Sequence, residues 1–240
     1  MSLSTELGIP EGPGFTALVG GGGKTSLMHR LAEERVLAGR PAVITTTTAI
    51  MYPEAYDLIQ DEYAFEKEFD PGKVICIGRA EGKDKVRFPG DALMDLALKK
   101  AGRVFVEADG AKRMPAKVPA PYEPVIPAGT DSVIAVSGLD ALGFPIKEKC
   151  FRTEYVCRLL GVSEEEILTP EMLALMITGS EGLRKDVPPD AVFSVLLNKA
   201  DNSLRLGYAE STAGVIRRLL PGCRVVAASL NEDDCIKKVF

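Results

Sequence analysis

The chain has 240 residues, 46% of them apolar and 26% charged, enough to fill a core in one large domain or two small ones. A net charge of −5 at pH 7 argues against a general nucleic-acid binder. No apolar run is long enough to span a bilayer and no basic-then-apolar leader opens the chain, so the expected compartment is the cytoplasm, with no membrane partner. Five cysteines, an odd number without a C-x-x-C pair, suggest neither a disulfide framework nor a zinc knuckle.

Residues 1–14 are short and marked by Pro and Gly, which predicts an irregular lead-in. Phe15–Val19 then reads as a buried strand, followed by Gly20-Gly21-Gly22-Gly23-Lys24-Thr25 and a helical run from Ser26 to Leu37 that stops near Gly39. Strand, glycine loop, Lys-Thr and helix form the architecture of a phosphate-binding loop. Glycines let backbone N–H groups turn inward on a polyphosphate, and the helix behind adds its positive end. Gly20, Gly21, Gly22, Gly23, Lys24, Thr25 and Ser26 are therefore the expected phosphate contacts. Lys24 reaches the terminal phosphates and the Thr25 hydroxyl ligates Mg²⁺. Where the full pattern has a further glycine, this chain has Leu18, read here as strand.

Pro41–Ile44 reads as a second strand running into Thr45-Thr46-Thr47-Thr48. A hydroxyl at that strand end, represented by Thr47 although any of the four fits, is expected to complete the Mg²⁺ shell. Residues 53–70 read as polar, mostly helical surface, Lys73–Gly78 as a strand, Arg79–Arg87 as a hairpin or exposed loop, and Asp91–Lys100 as a helix. Val104-Phe105-Val106 delivers Glu107-Ala108-Asp109-Gly110 to the same edge. Glu107 or Asp109 is expected to hold Mg²⁺ or to position the attacking water. Alternation puts the two carboxylates on one side of an extended chain. Lys112 and Arg113 follow, within reach of an anion. The stretch from Met114 to Thr130, with prolines at 115, 119, 121, 124 and 127, reads as an ordered loop over the site or at an interface, or else as a plain connector.

Asp131–Ser137 is a further strand, Gly138–Gly143 a loop, and residues 150–185 hold two or three short helices, one capped by Thr169 before Pro170. The strand Ala191–Leu197 delivers Asn198-Lys199-Ala200-Asp201. In N-K-x-D the Asp carboxylate accepts from guanine N1–H and the 2-amino group, which adenine does not offer in that arrangement, while Asn and Lys brace the loop and the base. Val225–Ser229 reads as the last strand, with Ala228-Ser229 where a small segment would lie under the base. The one histidine, His29, falls inside the first helix and is read as packing.

Glu107-Ala108-Asp109-Gly110 together with Asn198–Asp201 resembles the metallocentre-assembly GTPases, the group of the hydrogenase and urease nickel accessory proteins. A closer resemblance runs through G-G-G-G-K-T, T-T-T-T, V-E-A-D-G-A-K, E-P-V-I-P (Glu123–Pro127), G-L-D-A-L-G and N-K-A-D, in this order. It is to the selenium-dependent molybdenum hydroxylase accessory proteins (YqeC-like). That family has a histidine where this chain has Phe151, so no role for such a histidine carries over. The resemblance implies an α/β, three-layer P-loop NTPase-like fold with a mainly parallel central sheet, a single domain over residues 1–240, and work on maturation of a molybdenum hydroxylase, with that client or its cofactor as partner. It also implies a homodimer, as in many of these GTPases. The function expected is a Mg²⁺-dependent, slow GTPase with Lys24, Glu107 and Asp109 as the catalytic set. The alternatives are a small-molecule kinase or nucleotidyltransferase using ATP or CTP, and a nucleotide-binding module without turnover.

Overall fold

The structure is a computed structural model that describes residues 2–51, 55–82 and 84–240. The lead-in contains a short helix, α1 (Leu3–Glu6), rather than irregular chain. Leu3 and Leu7 are fully buried, and the Glu34 carboxylate accepts from the backbone N–H groups of Leu3 and Ser4. Glu34 belongs to α2 (Lys24–Leu37), which follows β1 (Gly14–Gly20) and ends where Gly39 turns left-handed at φ 72°. Next come β2 (Ala42–Thr46), β3 (Ala49–Met51), β4 (Leu58–Ile59) and α3 (Glu62–Glu68). Within the span expected to be mostly helical only α3 is helix, started by the Asp61 side chain accepting from Ala64 N–H at 2.8 Å. Residues 53 and 54 of that expectation lie outside the described residues.

The strand β5 (Val74–Ile77) precedes a hairpin of β6 (Arg79–Glu81) and β7 (Lys85–Arg87), and β3 joins the hairpin in a small antiparallel sheet. Then follow α4 (Asp91–Ala101), β8 (Arg103–Glu107), β9 (Ala116–Lys117), β10 (Thr130–Gly138), a 3-10 turn (Leu139–Ala141), α5 (Ile146–Lys149), β11 (Cys150–Phe151), α6 (Thr153–Leu160) and α7 (Pro170–Thr178). Thr169 caps α7, its hydroxyl accepting from Met172 N–H at 3.3 Å. The chain closes with β12 (Val192–Asn198), α8 (Ser203–Leu219), β13 (Arg224–Ala228) and β14 (Ile236–Val239). The strand at Val225–Ser229 is not the last, since β14 follows it and pairs antiparallel with it, and the long helix α8 was not part of the sequence reading.

Nine strands form the central sheet in the order β14-β13-β12-β10-β1-β8-β2-β5-β4, parallel throughout except for β14. Alternation along the strands sorts the core into two faces. In β1, Phe15, Ala17 and Val19 turn to one side and Leu18 to the other, and β8 splits Val104 and Val106 from Phe105 in the same way. Leu18, Ile44, Phe105 and Ile134 pack with α1 and α2 on one face. The opposite face packs with α3 and α4 at one end and with α7 and α8 at the other. The result is the three-layer α/β architecture with a mainly parallel sheet. Among the described residues no helix is long and apolar enough to cross a membrane.

Parallel register brings the chemistry-bearing ends into line. Leu18 pairs with Glu107 across β1 and β8, Gly20 with Val136 across β1 and β10, and Gly138 with Asn198 across β10 and β12. The glycine loop, the acidic pair and the N-K-A-D segment thus share one sheet edge, the C-terminal one where ligands of open α/β sheets bind.

Candidate functional site

The loop between β1 and α2 is shaped by close backbone approach. Gly20, Gly22 and Gly23 have φ values of 99°, 76° and 132°, which side-chain-bearing residues rarely adopt. A Cβ at Gly22 would lie 2.3 Å from Gly138 N, and one at Gly21 would lie 2.6 Å from Met114 O. The glycines therefore let the loop nest under the proline-rich segment. Gly22 N–H donates to Met114 O at 3.1 Å and Gly138 N–H donates to Pro115 O at 2.8 Å. Residues 115–120 are buried, so this segment is an ordered cover over the loop, as expected. Helix α2 starts at Lys24 with no side-chain cap, which leaves its positive end directed at the loop.

Lys24 is 4% exposed. Its ammonium donates to Gly20 O at 2.5 Å and lies 3.1 Å from Asp109 Oδ1 and 3.5 Å from Glu107 Oε1. Asp109, fully buried, also accepts from Gly20 N–H and lies 3.0 Å from Lys117 Nζ. Lys117 donates to Gly110 O at 2.7 Å and to Glu123 Oε2 at 2.6 Å, and Glu123 Oε1 accepts from Arg152 Nη2 at 3.0 Å. Cations and carboxylates thus alternate from Glu107 through Lys24, Asp109, Lys117 and Glu123 to Arg152. Such a chain offsets the cost of burying each charge, and removing one member exposes that cost. Burial pulls the Lys24 pKa down, but Asp109 and then Glu107 outweigh it, so the value lies above that of an ordinary lysine. Burial pushes Glu107 above the usual carboxylate range, and Lys24 and the Thr25 hydroxyl offset this only in part.

Thr25 Oγ1 donates to Glu107 Oε2 at 2.8 Å. A hydroxyl and a carboxylate in contact are hard oxygen donors of the kind Mg²⁺ prefers, so the residues present fit that ion. Glu107 fits better than Asp109, whose oxygens already serve Gly20 N–H, Lys24 and Lys117. The threonine run is otherwise engaged. Thr45 donates to Ile77 O, Thr46 to Glu107 O and Thr47 to Val125 O at 2.6 Å, while Thr48 shares a hydrogen bond with Thr46. Thr47 is tied to the backbone of residues 107 and 125 and forms no bond to the Glu107 side chain.

At the other end, Asn198 Nδ2 donates to Gly22 O at 2.7 Å and its Oδ1 accepts from Leu230 N–H at 3.2 Å. One side chain thereby ties N-K-A-D to the glycine loop and to the segment after β13, where Ala200 N–H also donates to Ala228 O. Lys199, left-handed at φ 66°, donates to Asp140 Oδ2 at 2.7 Å. Asp201 lies at the surface and is bound by Arg205 Nη1 at 2.7 Å and by Asn202 Nδ2 at 3.0 Å. Ser26 is exposed on the first turn of α2. His29 packs edge-on against Tyr56, with ring centres 5.0 Å apart.

Two members of the ion chain were absent from the expected site set: Lys117 and Glu123. Lys117 carries no sequence signal of its own. Glu123 stands inside the E-P-V-I-P segment that entered only as a resemblance.

The YqeC protein family model matches residues 16–154, a span that holds the glycine loop, the threonine run and the whole ion chain. Among curated proteins, the uncharacterized protein YqeC of Escherichia coli (strain K12) is 29% identical over 200 residues, covering 78% of this chain and 76% of that relative. With more than half of its residues matched in this way, the chain belongs to the YqeC family.

Proposed function

We propose that the protein binds a guanine nucleotide with Mg²⁺ and hydrolyses GTP slowly, as an accessory factor in maturation of a selenium-dependent molybdenum hydroxylase. The observation that carries the nucleotide reading is the Asn198 bridge. It makes the glycine loop and the base-reading segment one unit, two strands apart on a single edge. Two strand spacings are about 10 Å, a separation suited to phosphates at one end and a base at the other. The Lys24 ammonium and the free amides at the start of α2 hold the polyphosphate, and Asp201 reads the base. Mg²⁺, held by Thr25 and Glu107, neutralises charge on the phosphate oxygens when bound. Asp109 or Glu107 orients a water whose oxygen attacks the γ-phosphorus. The bond to the bridging oxygen breaks, and GDP and phosphate leave. Among the described residues no arginine forms a hydrogen bond or ion pair with the loop's side chains, which supports slow unaided turnover. The client and a working homodimer rest on the family resemblance alone, and the cytoplasmic setting on the hydropathy of the sequence.

A second reading is a kinase or nucleotidyltransferase that uses ATP or CTP. It is favoured by Asp201 being paired with Arg205 at the surface. Calorimetry with GTP, GDP, ATP and CTP in Mg²⁺ decides between the two. The GTPase reading expects guanine nucleotides to bind at least about tenfold tighter than ATP, a difference of roughly 1.4 kcal/mol, and Lys24→Ala to abolish binding of all four. Preference for ATP or CTP supports the transferase, and no binding by the native protein refutes both.

A further inference from the structure

Beside the nucleotide edge, basic groups gather round one aromatic ring. The Arg152 guanidinium lies 5.0 Å from the Phe151 ring centre and 5.1 Å from that of Tyr122. The ammonium groups of Lys112 and Lys117 lie 5.5 Å and 5.7 Å from the same Phe151 ring. Glu123 serves both Lys117 and Arg152, and Asp109 is shared between Lys117 and Lys24. Lys112 forms no ion pair among the described residues, and Arg152 Nη1 is buried without an acceptor. A guanidinium N–H in that position is costly unless something accepts from it. The backbone adds a second observation. Lys112, Arg113 and Arg152 all hold left-handed φ values, 45°, 64° and 59°. Glycine would meet that conformation without strain, and side chains kept there mark a functional constraint. Lys112 and Arg113 form the two central positions of a turn closed by Met114 N–H donating to Ala111 O at 2.8 Å. That turn also delivers Met114 O to the glycine loop.

We propose that Arg152 and Lys112 form a subsite for a small-molecule oxyanion, a phosphorylated or carboxylated compound bound next to the nucleotide position. Arg152 suits the role because Glu123 fixes one arm of its planar fork and leaves Nη1 for the ligand. Phe151 and Tyr122 hold the guanidinium, and Lys112 supplies a point charge over the Phe151 ring. The subsite stands independently of the nucleotide reading, since none of its donors belongs to the glycine loop or to N-K-A-D.

The test is calorimetric titration of the full chain with inorganic phosphate and, separately, malonate, so that the two oxyanion chemistries are distinguished. Arg152→Lys keeps a cation for Glu123 but loses the fork. Lys112→Ala removes an exposed charge and does not threaten the core. Both are expected to weaken binding of the preferred anion by roughly tenfold or more. Lys24→Ala, which removes the glycine loop's cation, is expected to change it less than about threefold. Loss of binding in Lys24→Ala with retention in Arg152→Lys and Lys112→Ala would put the anion in the glycine loop and overturn the proposal. Failure of the native protein to bind either anion at millimolar concentration would do the same. If Arg152→Lys does not fold, Lys112→Ala decides alone. Anion binding without GDP binding would sink the nucleotide reading and leave this one standing.

Discussion

Asp109→Asn is the perturbation that asks most of the ion chain. Asp109 is fully buried, lies 3.1 Å from Lys24 and 3.0 Å from Lys117, and accepts from Gly20 N–H. The amide keeps an acceptor for Gly20 but cancels the charge. At an effective dielectric of about 20, each ion pair is worth roughly 5 kcal/mol of Coulomb energy, from which relief of the carboxylate's own desolvation must be subtracted. Lys117 keeps Glu123 at 2.6 Å, and Lys24 keeps Glu107 at 3.5 Å. The net loss should be about 3–5 kcal/mol, as when one partner is removed from a buried pair. In a chain of this size that is a drop in Tm of roughly 6–20 °C. The pH dependence has a definite sign. In the native protein the Lys24 pKa is raised. The stability it contributes is complete below the unfolded lysine value of about 10.4 and is lost as pH rises through the higher folded value. Without Asp109 the main force opposing desolvation is gone, and the folded value falls below the unfolded one. The variant's deficit then shrinks as pH rises between the two. Urea unfolding followed by circular dichroism at pH 7 and pH 9.5 measures both effects. A deficit under about 1 kcal/mol, or one that grows at the higher pH, refutes the reasoning.

Gly22→Ala should cost more than about 2 kcal/mol, because the new Cβ meets Gly138 and Pro115 backbone atoms at a left-handed φ. Gly110→Ala, with nothing within 4 Å of the added atom, should stay within about 1 kcal/mol of native in the same denaturation assay. Glu107 titrates above its ordinary range in the fold, so it favours folding below the unfolded value of about 4.3, and that contribution is lost as pH rises through the folded value. Glu107→Gln relieves that carboxylate's desolvation while loosening the Lys24 pair, so at pH 7 without ligand it should cost less stability than Asp109→Asn, while Mg²⁺ no longer strengthens nucleotide binding in calorimetry. Asn198→Ala loses two hydrogen bonds, to Gly22 O and from Leu230 N–H. It should cost about 1–3 kcal/mol and weaken guanine-nucleotide binding by roughly tenfold in a fluorescence titration.

The legible parts of this chain were those with local rules. Glycine and Lys-Thr between a strand and a helix located the loop, and apolar runs located β1, β2, β5, β8, β10, β12 and β13. The acidic pair was legible because a strand end must deliver its last residues to one edge. Lys117 was not, since a lysine in a proline-rich stretch looks solvated, and only the fold places it between Asp109 and Glu123. Helix α8 was overlooked because its buried face is made mostly of small residues, Ala209, Thr212 and Ala213, with Ile216 as the one large apolar side chain among them. Their spacing and the Asn202 cap, which accepts from Arg205 N–H at 3.0 Å, were nonetheless present in the sequence. The short helix α1 depends on Glu34, 30 and more residues away, which no local pattern reports.

The most direct test of the nucleotide reading is a base swap at Asp201. Guanine offers N1–H and a 2-amino donor, both suited to a carboxylate, whereas xanthine carries an oxo group at position 2 that suits the donor arm of an amide. Affinities of GDP and its xanthine counterpart should be measured for the native protein and for Asp201→Asn. The account predicts that the native protein prefers GDP by at least about tenfold and that the substitution reverses the preference. Equal affinities in both proteins, or a preference untouched by the substitution, would contradict it.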